Sequence, residues 1–397
     1  MNMRPFSVCV LAGALAAVAA AGAEEAGPAK QPGNIEVCFV LDTTGSMSGL
    51  IEGAKQKIWS IANGIVGAKP TPKVKFGLIG YRDRGDAYVT EAAPLTDDID
   101  AIYEKLRGFR ADGGGDTPES VNQALNEAVT QMTWSTNRSV LKIIFLVGDA
   151  PPHMDYKDDV KYPEVCRAAV MKDLIINTVQ CGNMSDTTPV WQDIAAKSEG
   201  SYTAISQGGD MVAISTPVDK PIAELRSKIV SSRIGYGDTS AMDAEASLSV
   251  GFAATAPAPV AASRASYKAK VEGARMERVK AGDSLAMAEY ADAALGGKAD
   301  LAEAVVLGAV AMDKLEEDKL PEELRKMGKD EREAYLKEKV EERRALEKEL
   351  SELNRQRDAY IAGEMKKRDA EGGKKGFDAE VERMVREQAA RKGISYE

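Results

Sequence analysis

Short apolar runs alternate with amphipathic stretches throughout residues 34–232, and this alternation constrains the fold more than any other feature of the sequence. Residues 35–41 and 140–147 are apolar except for one charged residue each, as expected of strands buried on both faces of a sheet. Between such runs, residues 50–66 repeat their isoleucines at helical spacing. The pattern is typical of βαβ units, so it predicts a doubly wound α/β fold with a mostly parallel sheet flanked by helices.

The same pattern gives approximate bounds for the elements of this domain. Residues 82–86 are predicted to form a turn between two paired strands, and the Arg-Gly-Asp tripeptide within them is interpreted as part of that turn. The predicted strands are residues 35–41, 74–80, 88–92, 140–147, 175–180 and 201–205, and the predicted helices are residues 50–66, 98–109, 118–132, 162–172, 190–198 and 220–230.

Composition excludes several kinds of site. The chain has a single histidine, His153, so a zinc site built on two imidazoles is excluded. With 62 acidic and 52 basic residues, the net charge of −10 argues against a nucleic-acid partner. Calcium and magnesium remain compatible, because carboxylates, hydroxyls, carbonyls and water hold them. We predict that His153 is a surface loop residue, with a position beside a bound cation as the alternative.

The N-terminal residues are predicted to direct export. Arg4 precedes an apolar run over residues 6–20, and small residues at 21–23 form a cleavage site, which together indicate a signal peptide over residues 1–23. A short linker, residues 24–33, would follow. No later segment offers the roughly 18 apolar residues of a membrane span. We therefore expect an exported protein, periplasmic or secreted, without a stable membrane span after cleavage.

Three cysteines remain after the predicted cleavage: Cys38, Cys166 and Cys181. Cys38 and Cys181 lie in apolar runs, where a free cysteine behaves as a small hydrophobic residue. A Cys166–Cys181 disulfide is the alternative, because an exported protein can form one.

The composition changes beyond residue 232. Residues 233–266 are rich in Ala, Pro and Ser and are interpreted as a flexible linker. Residues 267–397 are charged and helical by pattern, with helices predicted at 267–295, from Asp300 onward, and at 329–368. Polar residues interrupt the heptads of the last of these, including Arg343 and Arg357, which favours a docking helix or helical hairpin over a long coiled coil.

Oxygen-bearing side chains follow the predicted strands where ligands bind in doubly wound sheets. Asp42, Thr44 and Ser46 come directly after the first strand at alternate positions, and Asp149 follows the strongly apolar strand 140–147. Between these two in the chain lies the second loop, residues 113–119, which carries three glycines and then Asp116 and Thr117. Carboxylates and hydroxyls that converge from three loops are the donors that a hard divalent cation requires.

Residues 34–232 resemble a von Willebrand factor type A domain, and the three loops resemble its metal-ion-dependent adhesion site. The family pattern is Asp-x-Ser-x-Ser on the first loop, a threonine on the second and an aspartate on the third. Thr44 stands where the family has serine and keeps the hydroxyl, while the second-loop position is open between Asp116 and Thr117. The resemblance implies these ligands: Asp42, Thr44, Ser46, Asp116 or Thr117, and Asp149.

The resemblance also implies a function. Such a domain is a binding module and not an enzyme, and its cation, Mg²⁺ or alternatively Mn²⁺ or Ca²⁺, is completed by an acidic residue of a protein partner. A haloacid-dehalogenase-type enzyme would need a carboxylate where Thr44 stands. A serine hydrolase that uses Ser46 is disfavoured, because residues 45–49 do not fit the Gly-x-Ser-x-Gly nucleophile elbow: Met47 occupies its middle position. The other alternative is a metal-independent periplasmic scaffold that self-associates through its C-terminal helices.

Overall fold

A computed structural model describes residues 33–373 and 375–396 of the chain. The predicted signal peptide, residues 1–23, and all but the last residue of the predicted linker 24–33 lie outside the described residues. The predicted sheet is present, with strands at β1 Asn34–Asp42, β2 Lys73–Tyr81, β3 Thr90–Thr96, β4 Leu141–Gly148, β5 Ile175–Cys181 and β6 Tyr202–Ile205.

The strands form one six-stranded sheet in the order β3-β2-β1-β4-β5-β6. All neighbouring pairs are parallel except β2 and β3, which are antiparallel. The chain moves outward in one direction from β1 to β2 and in the other from β4 to β6, so the order reverses between β1 and β4. A crevice forms at the carboxyl ends of the strands at such a reversal, and this is where ligands bind in open α/β sheets.

Helices cover both faces of the sheet, which confirms the predicted fold class. Each helix places an apolar stripe on one of two buried clusters, one on either side of β1 and β4. On the first face lie α1 Ser48–Ile65, α2 Ile99–Gly108 and α13 Phe377–Ala390, and on the second lie α3 Val121–Thr130, α4 Tyr162–Met171 and α5 Thr187–Lys197.

The helix α13 lies near the C-terminus of the chain but belongs to the core of the sheet. Phe377 packs edge-on against Phe39 of β1, with ring centroids 6.2 Å apart. Asn177 of β5 and Gln388 of α13 exchange two buried side-chain hydrogen bonds, of 3.0 and 2.6 Å. The α/β layer is thus completed by a helix from the region that the sequence pattern sets apart as residues 267–397.

The segment predicted as a flexible linker, residues 233–266, is mostly helical instead. It contains α7 Ser240–Thr255 and the first turns of α8 Ala258–Lys280. Alanine has the highest helix propensity, and the prolines of this segment fall between the two helices and in the first turn of α8, where proline is tolerated. The Ala and Pro content that suggested a linker therefore marks two helices and the boundary between them.

The remaining helices pack on this layer and on one another. They are α6 Asp219–Ser231, α9 Ser284–Leu295, α10 Leu301–Val306, α11 Glu322–Arg325 and α12 Lys329–Ala370. Asp300 caps α10 by accepting a hydrogen bond from the Glu303 amide at 2.8 Å, as the sequence predicts. The predicted helix 267–295 is broken before Asp283, which caps α9.

Buried ion pairs join these helices. Arg264 of α8 lies 2.7 Å from Asp100 of α2, and Arg357 of α12 lies 2.8 Å from Asp219 of α6. Arg343 of α12 pairs in the same way with Asp300. The arginines that break the heptad pattern of α12 therefore neutralise buried carboxylates. Cys38, Cys166 and Cys181 are buried free thiols, so the alternative Cys166–Cys181 disulfide is not formed.

Candidate metal centre

The first loop begins at the last residue of β1. Asp42 is fully buried, and its Oδ1 accepts hydrogen bonds from the Thr44 amide at 2.8 Å and the Thr44 hydroxyl at 2.6 Å. The Thr44 hydroxyl lies 3.4 Å from the hydroxyl of Ser46, which is exposed. The second oxygen of Asp42, Oδ2, is buried and has no hydrogen-bond partner. The predicted first-loop residues thus lie together, with one carboxylate oxygen unused.

The third loop places Asp149 beside the first. Asp149 follows β4, and its Oδ2 accepts a hydrogen bond of 2.7 Å from the side-chain amide of Gln207. The same amide group donates to the carbonyl oxygen of Ser46 at 3.2 Å. The glycine at position 148 lets β4 and β1 lie close together here, because a Cβ on residue 148 would be only 2.9 Å from the Cβ of Asp42. Gln207, which the sequence did not single out, therefore joins the two loops.

The second loop lies against the first. The carbonyl oxygen of Gly113 accepts a 3.3 Å hydrogen bond from the amide of Gly45. Gly113 and Gly114 both have positive φ angles, of 78° and 82°, which glycine adopts without strain. The amide of Gly114 donates to the carboxylate of Asp86 at 3.1 Å. The Arg-Gly-Asp segment is therefore a turn, as predicted, and its aspartate also holds the second loop.

The buried carboxyl group of the second loop is Glu119, which the sequence pattern did not indicate as a ligand. Glu119 is 3% exposed, and its Oε2 has no hydrogen-bond partner. Glu119 and Thr44 both lie close to Gly114. A Cβ added to Gly114 would be 3.4 Å from Glu119 Oε1 and 3.2 Å from the Cβ of Thr44. The two second-loop candidates, Asp116 and Thr117, are both exposed.

Asp116 belongs to a second group, formed with Asp83 and His153, which we call the histidine group. One ligand atom from each of the three residues lies within 4.8 Å of the others. His153 Nε2 is 3.3 Å from Asp83 Oδ2 and 3.8 Å from Asp116 Oδ2. His153 is 6% exposed, so the prediction of a surface loop residue was wrong. Its ring stacks on Tyr156 with centroids 4.0 Å apart, and this stacking removes it from solvent.

Residues 36–216 match the family model described as the von Willebrand factor A domain. These residues are therefore similar to a von Willebrand factor A domain, and we refer to them below as the A domain. Among curated relatives, an A domain-containing protein 7 of Rattus norvegicus is 36% identical over 114 residues, which are 29% of this chain and 12% of the relative. A putative ariadne-like RING finger protein, R811 of Acanthamoeba polyphaga mimivirus, is 24% identical over 208 residues, 51% of this chain and 20% of the relative. The chain thus spans a fifth or less of these relatives.

Solved structures resemble the A domain at low identity. The SpRpn10 VWA domain gives a TM-score of 0.34 at 15% identity, covering 44% of this chain and 89% of that one. Proximal thread matrix protein 1 from the mussel byssus, with a zinc-occupied MIDAS motif, gives a TM-score of 0.35 at 16% identity, covering 44% and 42%.

Burial and mutual repulsion raise the pKa of two carboxyl groups at the edge of the A domain. Burial raises the pKa of Asp42 to about 7, against the hydrogen bonds from Thr44 and with the aid of the negative charge of Asp149. Burial likewise raises the pKa of Glu119 to about 9, and four neighbouring negative charges add to it, those of Asp42, Asp83, Asp86 and Asp149. A divalent cation at this edge would relieve both effects.

The donor atoms fall into two chemically different sets. Asp42, Thr44, Ser46, Asp149 and Glu119 offer only oxygen, as magnesium and calcium prefer. The histidine group adds an imidazole nitrogen to two carboxylates.

None of the helices in residues 33–373 and 375–396 has the length and hydrophobicity of a membrane-spanning segment.

Proposed function

We propose that the chain is an exported binding module that attaches to a protein partner through a divalent cation, and that it is not an enzyme. The cation is held at the edge of the A domain, and Mg²⁺ is the expected occupant, with Mn²⁺ or Ca²⁺ as alternatives. The residues that would hold it, which we call the oxygen group, are Asp42, Thr44, Ser46, Glu119 and Asp149.

One observation carries this proposal: the buried carboxyl groups of the oxygen group have no cationic partner among the residues that the structure describes. In the described part of the chain, no lysine or arginine forms an ion pair with Asp42, Glu119 or Asp149. Asp42 and Glu119 each leave a buried oxygen without a hydrogen bond. Buried carboxylates are normally paired or bound to a metal, so a cation from solution is the missing partner.

The donor set also supports an adhesive function. Ser46 is exposed at the rim, whereas Asp42 and Thr44 are buried beneath it. The protein therefore offers oxygens from one side only, and a bound cation would keep a position facing solvent that a partner's carboxylate can fill. Attachment through one acidic residue gives specificity at a small interface, because a partner without that residue leaves the cation incompletely coordinated.

The same geometry favours binding over catalysis. The hydroxyl of Ser46 is hydrogen-bonded to Thr44, while the imidazole of His153 faces Asp83 and Asp116. Ser46 and His153 are therefore not arranged as a nucleophile and its base, which would need a direct hydrogen bond. Export remains a proposal based on the predicted signal peptide.

Calorimetric titration of the metal-stripped protein with Mg²⁺ tests the cation directly. We expect wild type to bind Mg²⁺ and Asp42→Ala to lose that binding while keeping its fold, as judged by circular dichroism. Asp186→Ala is the matched control, because Asp186 is an exposed carboxylate at the same edge of the sheet. Equal Mg²⁺ titrations for wild type and Asp42→Ala would contradict the proposal.

Affinity capture from the native exported fraction tests the partner. Wild type should capture a protein in Mg²⁺ and release it in EDTA, and Asp149→Ala should capture none. Capture that persists in EDTA and in Asp149→Ala would support the metal-independent scaffold. Labelling by a fluorophosphonate probe would support a serine hydrolase and overturn the assignment as a binding module.

A further inference from the structure

The histidine group contains a buried nitrogen that has no hydrogen-bond partner in the described part of the chain. His153 is 6% exposed, and its Nε2 makes no hydrogen bond. Nε2 nevertheless points at two carboxylates, 3.3 Å from Asp83 Oδ2 and 3.8 Å from Asp116 Oδ2. A buried polar atom without a partner is costly, so this arrangement calls for a group that binds the nitrogen and both oxygens together.

The other side of the imidazole is already fixed. Nδ1 lies 2.8 Å from the carboxylate of Asp155 and donates its hydrogen there when the ring is neutral. This tautomer directs the Nε2 lone pair toward Asp83 and Asp116. Metal-binding histidines typically donate their second ring N–H to a carboxylate in this way, which fixes the ring and raises its basicity.

Asp83 is likewise held in place as an acceptor. The Ser120 hydroxyl donates to its Oδ1 at 2.8 Å, and the Tyr156 hydroxyl donates to its Oδ2 at 2.7 Å. Both hydrogen bonds fix the position of the carboxylate. Asp116 is different, because 66% of its side chain is exposed and it lies on the glycine-rich second loop. His153 and Asp83 are therefore fixed within the domain, whereas Asp116 reaches them from the exposed second loop.

We propose that the histidine group binds a second divalent cation through His153 Nε2 and one oxygen each of Asp83 and Asp116. The class of ion is a borderline transition metal such as Zn²⁺, because the mixed nitrogen and oxygen set suits zinc better than magnesium. Three protein ligands leave a fourth position for water. This second site does not depend on the proposed function, since no ligand is shared with the oxygen group.

The second cation has a structural consequence for the oxygen group. The backbone amide of His153 donates to the carbonyl oxygen of Glu119 at 3.0 Å. Asp116 and Glu119 are three residues apart on the same loop. A cation that binds Asp116 to His153 therefore holds the second loop in the position from which Glu119 reaches the oxygen group.

The test is a Zn²⁺ titration of the metal-stripped full chain in excess Mg²⁺, followed by calorimetry. Under the proposed function, the excess Mg²⁺ fills the oxygen group, so the zinc signal reports the histidine group. We expect His153→Gln and Asp116→Asn each to weaken Zn²⁺ binding at least about tenfold. Asp116 is exposed, so Asp116→Asn keeps its fold even where His153→Gln does not. Zinc-edge X-ray absorption of wild type should show imidazole scattering.

Asp42→Ala separates this proposal from the proposed function. It should lose Mg²⁺ binding and keep Zn²⁺ binding. If Asp116→Asn and folded His153→Gln bind Zn²⁺ like wild type, the second site is overturned, whatever Mg²⁺ does. If only Asp42→Ala loses Zn²⁺ binding, the ion binds in the oxygen group, and the proposal of a second site is also overturned. A protonated His153 that pairs with Asp83 and binds no zinc is the third contradicting result.

Discussion

Buried carboxyl groups occur in two regions of the molecule, and the two regions neutralise them differently. Among the packed helices, Asp100, Asp219 and Asp300 each pair with a buried arginine. At the carboxyl edge of the sheet, Asp42 and Glu119 are also buried, yet the described residues supply no lysine or arginine to either. The same residue types thus sit in opposite electrostatic surroundings.

The pKa values express this difference. Burial alone would raise the pKa of Asp100, but the Arg264 hydrogen bonds and the charge of Lys268 lower it below its usual value. Burial raises the pKa of Asp42 to about 7 and that of Glu119 to about 9, because nothing comparable opposes it. Arginines of the protein balance the charge of the helical carboxylates, and we infer that a cation from solution balances the charge of the edge carboxylates.

Removing an arginine from the helical region gives the largest expected effect. Arg264→Ala removes the buried arginine from Asp100, which keeps only the ion pair with the half-buried Lys268, and should lower the free energy of unfolding by about 3–5 kcal/mol. Urea unfolding monitored by circular dichroism measures this loss. The double variant Asp100→Ala/Arg264→Ala should lose less than the sum of the two single variants. Strict additivity would show that the pair carries no coupling.

The metal-free protein should become less stable as pH rises. The folded-state pKa of Asp42 is about 7 against an ordinary value of 3.8, so the folded state holds its proton more tightly than the unfolded state. The contribution of Asp42 to the free energy of unfolding is therefore complete below about pH 4 and is lost as the pH approaches 7. The contribution of Glu119 is lost in the same way up to about pH 9. A tenfold difference in proton affinity between the two states corresponds to about 1.4 kcal/mol, so we expect a loss of a few kcal/mol.

Urea unfolding in EDTA between about pH 5 and pH 8 measures this slope, and added Mg²⁺ should flatten it. Arginine-paired carboxylates give the opposite slope, since Asp100 contributes stability that is lost only as pH falls below its ordinary pKa. A metal-free protein whose stability is constant across this interval would remove the contrast between the two regions.

Glu119 offers a smaller and more specific test. Glu119→Gln should reduce Mg²⁺ affinity about 10- to 100-fold, because a charged donor of the oxygen group is lost. The metal-free variant should be at least as stable as wild type near about pH 8, because folded wild type must keep a proton on Glu119 that the unfolded chain releases, and glutamine removes this cost. Calorimetry and urea unfolding give the two values. Asp186→Asn serves as the control, and an equal affinity loss there would indicate a general charge effect.

The smallest effect is expected for exposed pairs on the long helix. Glu352 and Arg355 form an ion pair across one turn of α12, and both side chains are largely in solvent. Arg355→Ala should change the free energy of unfolding by less than about 0.5 kcal/mol, because water competes with such pairs. A loss as large as that of Arg264→Ala would show that burial does not decide the strength of these pairs.

Periodicity was sufficient to predict the sheet and much of the first site. Parallel strands bring their carboxyl ends to one edge, so side chains that follow β1 and β4 had to lie close together. The structure accordingly places Asp42, Thr44 and Ser46 beside Asp149. Neither inference needed knowledge of long-range packing.

Glu119 and His153 could not be selected in this way, because burial depends on how loops fold over the edge. The available signal was the position of Glu119, at the end of the glycine-rich loop and just before α3. The arginine pairs were also hidden, since Arg357 and its partner Asp219 are 138 residues apart. The segment 233–266 was misassigned because Ala and Pro content was weighed without the positions of the prolines.

The most direct test of the central claim is the thermal unfolding midpoint of metal-stripped protein with and without Mg²⁺, in wild type and in Asp42→Asn. If a cation completes the edge carboxylates, Mg²⁺ raises the midpoint of wild type by mass action. In Asp42→Asn, Mg²⁺ should have no effect, and the metal-free midpoint should equal or exceed that of wild type. A wild-type midpoint indifferent to Mg²⁺, or an equal rise in Asp42→Asn, would contradict the account.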